Sequence, residues 1–97
     1  MRVIAKKILR DFWARHEDAE QALKTWYREA SKADWKNPNE VKNQYIKASI
    51  LKNNRVVFNI CGNSYRLIVK INYDRSWVFV RFIGTHSEYD NVDVGNI

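Results

Sequence analysis

Two spacings of apolar residues divide the chain into two halves. Residues 6–45 carry apolar side chains at helical spacing, and residues 49–83 alternate between apolar and polar side chains as strands do. One proline and three glycines are scattered along the chain, and no stretch has the composition of a linker or a repeat. We therefore interpret the change of spacing as a boundary between two layers of one domain, residues 1–97.

The first half predicts a short strand and three helices. Residues 2–4 are expected to form the strand, and residues 6–15 a helix with one apolar stripe. Asp18 is expected to cap a second helix, because Gln21 three residues later completes a capping-box pattern. The sequence NPNE predicts a short third helix at residues 37–44, with asparagine as the cap and proline in the first turn.

The second half predicts strands joined as an antiparallel meander. Asn53 and Asn54 tolerate the positive φ of a tight hairpin turn, Gly62 with Asn63 marks the next turn, and Gly84 is expected to end the last strand. The predicted fold class is therefore α+β, a small antiparallel β-sheet packed against two to three N-terminal helices. The expected strands cover residues 49–52, 55–60, 65–71 and 77–83.

The alternation within the last three strands separates an apolar face from a basic one. We expect the helices to cover the apolar face, and the basic residues of these strands all fall on the opposite face. The apolar face comprises Val56, Phe58, Ile60, Leu67, Val69, Ile71, Val78, Val80 and Phe82. The opposite face comprises Arg55, Val57, Asn59, Arg66, Ile68, Lys70, Trp77, Phe79 and Arg81.

The overall composition indicates a folded, basic protein. Hydrophobic residues make up 45% of the chain and aromatic residues 13%, which argues against intrinsic disorder. The formal net charge is +6, and residues 52–81 hold six basic residues and one acid. Such an excess favours an anionic partner, most often nucleic acid. The basic face is either an ordinary solvated surface or a groove for a nucleic acid backbone with aromatic platforms for bases.

The cysteine content and the apolar runs limit the class of the protein. Cys61 is the only cysteine, which excludes a disulfide framework and zinc sites with two thiolates and suits a reducing compartment. No apolar run approaches the roughly 20 residues of a membrane span, and the segment before Lys6 is too short for a signal peptide. Glycine loops that bind phosphates or dinucleotides are absent from the sequence. We expect a cytoplasmic protein that uses no metal or other cofactor.

His86 is the candidate for acid–base chemistry, because it follows the last strand, where functional side chains are common. Histidine transfers protons near neutral pH and arginine stabilises a phosphorane, so a histidine beside the basic face suits phosphodiester cleavage. The alternative is that residues 87–90 form a capping box and His86 is a polar loop residue. His16 is expected to be structural at the end of the first helix. A nucleophilic dyad of Cys61 and His86 is disfavoured, because Cys61 lies at a hairpin tip.

Two segments resemble the HigB toxins of type II toxin–antitoxin systems. They are residues 57–68, VFNICGNSYRLI, and residues 81–90, RFIGTHSEYD. Residues 18–26, 34–38 and 49–54 match as well, so the resemblance covers nearly the whole chain. This family belongs to the RelE/ParE superfamily, whose fold is a small antiparallel sheet with N-terminal helices, in agreement with the fold predicted above.

The resemblance implies an mRNA interferase, an endoribonuclease that cleaves messenger RNA in the ribosomal A site by attack of a ribose 2′-OH on the adjacent phosphate. It also implies a cognate antitoxin, expected to be a helix-turn-helix protein, and no role for a membrane. On this chain it implies that Arg66 and Arg81 stabilise the phosphate and that His86 is the acid or base. Tyr89 would stack on a base or support the proton transfer. The expected RNA-binding residues are Lys52, Arg55, Lys70 and Trp77.

A second function is compatible with the same resemblance. The superfamily also contains toxins directed at gyrase, which share the fold and have no nuclease activity. The alternative is therefore a non-catalytic inhibitor or nucleic-acid-binding module that uses the same basic face. His86 discriminates between the two, because a cleaving enzyme needs a proton-transfer group beside the basic face and a binder does not.

Overall fold

Four helices and five strands build the fold, which a computed structural model describes over residues 1–97. All the predicted helices and strands are present, and no helix is both long and apolar enough to span a bilayer. The elements are β1 Arg2–Ile4, α1 Lys6–Arg15, α2 Glu20–Lys32, α3 Pro38–Gln44, β2 Ser49–Ile50, β3 Arg55–Ile60, β4 Tyr65–Asn72, β5 Trp77–Thr85 and α4 His86–Tyr89, with 3₁₀ turns at Glu17–Ala19 and Val94–Asn96.

The strands form one sheet in the order β1-β5-β4-β3-β2. Strands β2 to β5 pair in antiparallel order, which confirms the predicted meander. Strand β1 instead pairs in parallel with β5, so the sheet is mixed and not wholly antiparallel. Parallel neighbours need a long crossover. The helices provide it here, because they carry the chain from β1 at one edge of the sheet to β2 at the other.

Both tight turns lie where the sequence predicts them. Asn53 and Asn54 have φ angles of 60° and 61°, as a tight hairpin requires. In the β3–β4 turn the left-handed residues are Cys61 and Gly62, with φ angles of 54° and 65°, and not Gly62 and Asn63. The Cys61 thiol donates a hydrogen bond of 3.1 Å to the main-chain oxygen of Asp18, which holds this turn against the helical layer.

The apolar face of the sheet is buried against the helices as predicted, except at Phe82. The register between β4 and β5 shifts so that Val69 lies opposite Val80 and Ile68 lies opposite Phe82, which leaves Arg81 as the extra residue of a β-bulge. Phe82 therefore shares the face of Ile68, and the prediction for Phe82 was wrong because simple alternation ignores the bulge. The core comprises Val56, Phe58, Ile60, Leu67, Val69, Ile71, Val78 and Val80, packed against Leu9, Phe12, Leu23 and Trp26. We call the sheet face away from the helices the outer face.

Several predicted element boundaries were wrong. Strand β2 ends at Ile50 and not at residue 52, and β4 continues one residue past its predicted end, to Asn72. Asp18 does not cap α2, which begins at Glu20. Its carboxylate accepts hydrogen bonds of 2.7 and 2.9 Å from the Tyr65 hydroxyl, and these raise the pKa of Tyr65 to about 12 because they favour the neutral phenol. Gly84 does not end β5, since it is buried opposite Arg66 and the strand continues to Thr85.

Candidate functional site

Arg66, His86 and Tyr89 come together where β4 begins and β5 ends. Arg66 lies opposite Gly84, two residues before His86. The guanidinium carbon of Arg66 is 5.9 Å from the centroid of the Tyr89 ring. The ring centroids of His86 and Tyr89 are 6.5 Å apart. Tyr89 therefore contacts the arginine and the histidine at one end of the outer face.

A capping box builds α4, the one-turn helix that carries His86 and Tyr89. The Thr85 hydroxyl accepts a hydrogen bond of 3.2 Å from the Glu88 N–H, and the Thr85 N–H donates one of 2.8 Å to the Glu88 carboxylate. These bonds to Thr85 lower the pKa of Glu88, because they favour the charged carboxylate. The box therefore starts one residue before the histidine and not at Ser87, so that His86 opens a helix and is not a loop residue.

His86 is accessible and lies beside an acidic residue. Its side chain is 55% exposed, and Nδ1 lies 3.5 Å from a carboxylate oxygen of Asp90 one turn later. Contact at Nδ1 leaves Nε2 as the nitrogen that is open to a substrate. An accessible imidazole with one nitrogen facing solvent is suited to proton transfer.

Arg66 keeps its charge available. Its Nη1 donates a hydrogen bond of 3.1 Å to the main-chain oxygen of Asn63, which fixes the side chain at the β3–β4 turn. No carboxylate lies within ion-pair distance of Arg66. The remaining guanidinium donors can therefore bind an anion, and their fork geometry matches two oxygens of a phosphate.

Arg81 and Lys70 extend the positive charge along the outer face. Arg81 is exposed at the bulge, next to the step between Ile68 and Val69 of β4. Lys70 is exposed on β4, four residues after Arg66. At the rise of an extended strand, Arg66 and Lys70 are about 13 Å apart, and Arg81 lies at a level between them. The three cations form a line that starts at the cluster with His86 and Tyr89.

The other predicted RNA-binding residues lie away from the cluster. Arg55 is half-buried, and its guanidinium donates to two main-chain oxygens, one of them that of Ile97 at 2.6 Å. Lys52 is exposed in the β2–β3 turn. Trp77 begins β5, with the guanidinium carbon of Arg75 5.4 Å from its ring. The structure thus groups Arg66, His86 and Tyr89 at one end of the outer face and these residues towards the other.

Sequence reasoning missed the residues that position the cluster. Thr85 and Glu88 form the box beneath His86, and the signal that could have found them is the T-x-x-E pattern of residues 85–88. Phe82 was missed on the outer face because of the bulge. Gly84 was treated as a strand end, although a Cβ there would lie 2.5 Å from the Phe82 ring.

The remaining candidates occupy structural positions. His16 stacks on Phe12 at the end of α1, with ring centroids 4.3 Å apart. Burial, together with the nearby Asp18 charge, raises the pKa of the Cys61 thiol, which disfavours a reactive thiolate. Nowhere do three or more histidine, cysteine or acidic side chains lie close enough together to hold a metal ion.

Comparison with known proteins points to one family. A model of HigB toxins, described as the RelE-like toxic component of a toxin–antitoxin system, matches residues 19–92. A curated protein named mRNA interferase HigB, from Escherichia coli O6:H1 (strain CFT073), is 28% identical over 94 residues. That alignment covers 95% of this chain and 91% of the relative. The matched region runs from the start of α2 past α4, so it includes the whole line of cations and the cluster.

Proposed function

Since the chain belongs to the family of HigB toxins, the RelE-like toxic components of toxin–antitoxin systems, we propose that it is an mRNA interferase. The observation that carries this proposal is the cluster of Arg66, Tyr89 and His86 at the end of a line of cations. The E. coli relative named mRNA interferase supports the same activity, because the alignment covers nearly all of both proteins. The chain is thus an endoribonuclease that acts on messenger RNA.

The RNA backbone lies along the outer face. Arg66 and Arg81 can bind one phosphate of a single strand, and Lys70, about 13 Å from Arg66 along β4, can neutralise a phosphate further along that strand. Trp77 and Phe79 lie on the same face, with ring centroids 5.9 Å apart, and supply surfaces on which bases stack. This binding brings one phosphate to the cluster at the end of the line.

Cleavage is the attack of a ribose 2′-OH on the adjacent phosphate, which breaks the bond between phosphorus and the 5′-oxygen and leaves a 2′,3′-cyclic phosphate. Arg66 and Arg81 donate hydrogen bonds to the non-bridging oxygens, where negative charge develops. His86 either takes the proton of the 2′-OH or gives one to the leaving 5′-oxygen. Tyr89 stacks on a base or supports the second proton transfer. The nucleophile belongs to the substrate, so this mechanism uses no cofactor.

The family description implies an antitoxin as a partner. We propose that this antitoxin is a helix-turn-helix protein and that messenger RNA is cut on the ribosome. The cytoplasm is then the site of action, because ribosomes and messenger RNA are found there.

Mapping of messenger RNA 5′ ends by primer extension after induction of the toxin tests the proposed activity. We expect new ends within coding regions soon after induction, and no such ends when the toxin is not induced. The alternative is a gyrase-directed toxin, which would arrest growth without new ends and would inhibit supercoiling by purified gyrase. That pair of results would overturn the proposed activity while leaving the family assignment intact.

A further inference from the structure

A second cluster of cations lies on the helical layer, on the opposite side of the molecule from the outer face. It surrounds a cavity of about 300 Å³ between α1 and α2 whose lining contains four basic side chains, two aromatic ones and no acid. The basic side chains are exposed and the aromatic ones are half-buried. We call this cluster the helix patch: Lys6, Arg10, Trp13, Lys24, Tyr27 and Arg28.

The helical period accounts for the position of the helix patch. On α1, the patch residues follow one another at spacings of four and three, which aligns them along one side of the helix. On α2, Tyr27 and Arg28 lie three and four residues after Lys24, which also places them on the side of the helix that carries Lys24. Leu9 and Leu23, on other sides of the two helices, are fully buried against the sheet. The pattern that builds the core therefore also collects these cations on the solvent side of the helical layer.

The charges of the helix patch are mostly not neutralised within the chain. Lys24 pairs with Glu20 at 2.5 Å, but no carboxylate lies within ion-pair distance of Lys6, Arg10 or Arg28. The aromatic rings contact the lysines: the Lys6 ammonium is 4.5 Å from the centroid of Tyr27, and the Lys24 ammonium is 5.4 Å from that of Trp13. Like charges held together in this way repel one another, and a bound polyanion relieves the repulsion.

We propose that the helix patch binds the phosphate backbone of folded ribosomal RNA and docks the toxin on the ribosome while messenger RNA occupies the outer face. This inference rests on the proposed function. Cations interleaved with aromatic rings are typical of surfaces that bind RNA backbones. The molecule is 22 Å across in its shortest dimension, so basic surfaces on opposite sides let it lie between two segments of RNA.

An acidic segment of the antitoxin is the competing occupant of this surface. Ribosomal RNA is favoured for two reasons. The helix patch presents two arginines with no acidic partner, Arg10 and Arg28, whose planar groups suit phosphates. It also offers no exposed apolar centre, whereas the cores of protein–protein interfaces are apolar and depleted in lysine.

The test compares two double variants that remove the same charge. One combines Arg10→Gln with Arg28→Gln in the helix patch. The control combines Lys32→Gln with Lys47→Gln, which are exposed and lie outside both the helix patch and the outer face. Binding to purified small ribosomal subunits is measured from about 50 to 200 mM salt. The loss of two phosphate contacts makes the slope of log affinity against log salt less steep by about 1.8. Over this fourfold range of salt, the variant therefore loses about twelvefold less affinity than the wild-type protein does.

We expect the helix-patch variant to bind more weakly at low salt and to show the smaller slope, whereas the control keeps the wild-type values. Both variants should unfold at the wild-type temperature and cleave at the wild-type rate on saturating ribosomes, because neither alters the outer face. Equal losses of ribosome affinity in the two variants would show that binding depends on net charge alone and would overturn the proposal. Unchanged ribosome binding with lost antitoxin binding would overturn it in favour of the antitoxin.

The failure of this inference is distinguishable from the failure of the proposed function. If wild-type protein cleaves messenger RNA on ribosomes and the helix-patch variant binds them equally well, docking through the helix patch is wrong and the activity stands. If wild-type protein neither binds ribosomes nor cleaves messenger RNA, both proposals are wrong.

Discussion

The substitution Gly84→Ala tests whether the packing beneath α4 positions the candidate catalytic group. A Cβ at Gly84 would lie 2.5 Å from Cζ of Phe82 and 3.0 Å from Oε1 of Glu88. That Glu88 oxygen accepts the Thr85 N–H in the capping box. The added methyl group must therefore displace the Phe82 ring, the capping carboxylate or both, and α4 carries His86.

The structure gives a scale for the effect of Gly84→Ala. Overpacking of a well-packed site costs about 1–3 kcal/mol. In a domain of this size about 1 kcal/mol shifts the unfolding temperature by roughly 4–8 °C, so calorimetry should show a fall of at least about 4 °C. Cleavage should fall further than unfolding explains, by about 10- to 100-fold at a temperature where the variant is folded, because the reacting groups are misplaced.

Val41→Ala is the matched control for this loss of stability. Val41 is fully buried on α3, which packs beside β2, whereas α4 contacts β4 and β5. Its truncation should cost about 2 kcal/mol and leave cleavage by the folded protein unchanged. Wild-type cleavage by Gly84→Ala would refute the role of this packing. Equal losses of cleavage in the two variants would reduce the effect to stability.

Three further substitutions test the phosphate-binding arginine, the Tyr65–Asp18 hydrogen bonds and the capping box of α4. Arg66→Ala should slow mRNA cleavage about 10²–10³-fold in single-turnover assays, because a donor to the developing charge is removed; a loss under about threefold would contradict this role. Tyr65→Phe should lower the unfolding temperature by at least about 4 °C, since Asp18 loses its hydrogen-bond donor; an unchanged temperature would count against it. Glu88 has a folded-state pKa below its unfolded value of about 4.3, so its stabilisation of α4 is present above that pH and is lost as pH falls through the folded pKa. NMR of α4 should show this acid transition in the wild-type protein and not in Glu88→Gln, and its persistence in the variant would refute the assignment.

The elements that depend on local signals could be predicted from the sequence. The bounds of α1 were predicted to the residue, because its apolar stripe has a clear helical period. At α3 the predicted cap is also present, since the Asn37 side chain accepts a hydrogen bond of 3.1 Å from the Glu40 N–H. Asn53 and Asn54 likewise adopt the left-handed angles that their turn needs. In each case neighbouring residues alone decide the structure.

The features that were wrong depend on partners distant in sequence. The residues on both sides of Arg81 are apolar, so the sequence pattern suits the core with or without a bulge. Only the pairing with β4 determines that the bulge forms and that Phe82 lies on the outer face. Asp18 fits a local capping pattern, but its carboxylate accepts a hydrogen bond from the Tyr65 hydroxyl and does not cap α2. The parallel pairing of β1 with β5 is likewise a property of the whole sheet, because a three-residue strand does not encode its partner.

The candidate site was predictable as a set of residue types and not as a geometry. Alternation along β4 placed Arg66 and Lys70 on one face, and their cross-strand partners agree with this. The approach of Arg66 to Tyr89 depends on the extension of β5 through Gly84 and on the box that starts α4. Neither feature follows from alternation within a single strand.

The cleavage rate of purified His86→Ala on ribosomes programmed with a defined messenger RNA shows whether His86 transfers a proton in the reaction. Removal of a positioned acid or base costs about 10²–10⁴ in rate. We expect a loss of at least about 100-fold at an unchanged unfolding temperature, whereas His16→Ala, at the end of α1, should cleave at the wild-type rate. A folded His86→Ala that cleaves at the wild-type rate would contradict the assignment and leave the chemistry to Arg66, Arg81 or Tyr89.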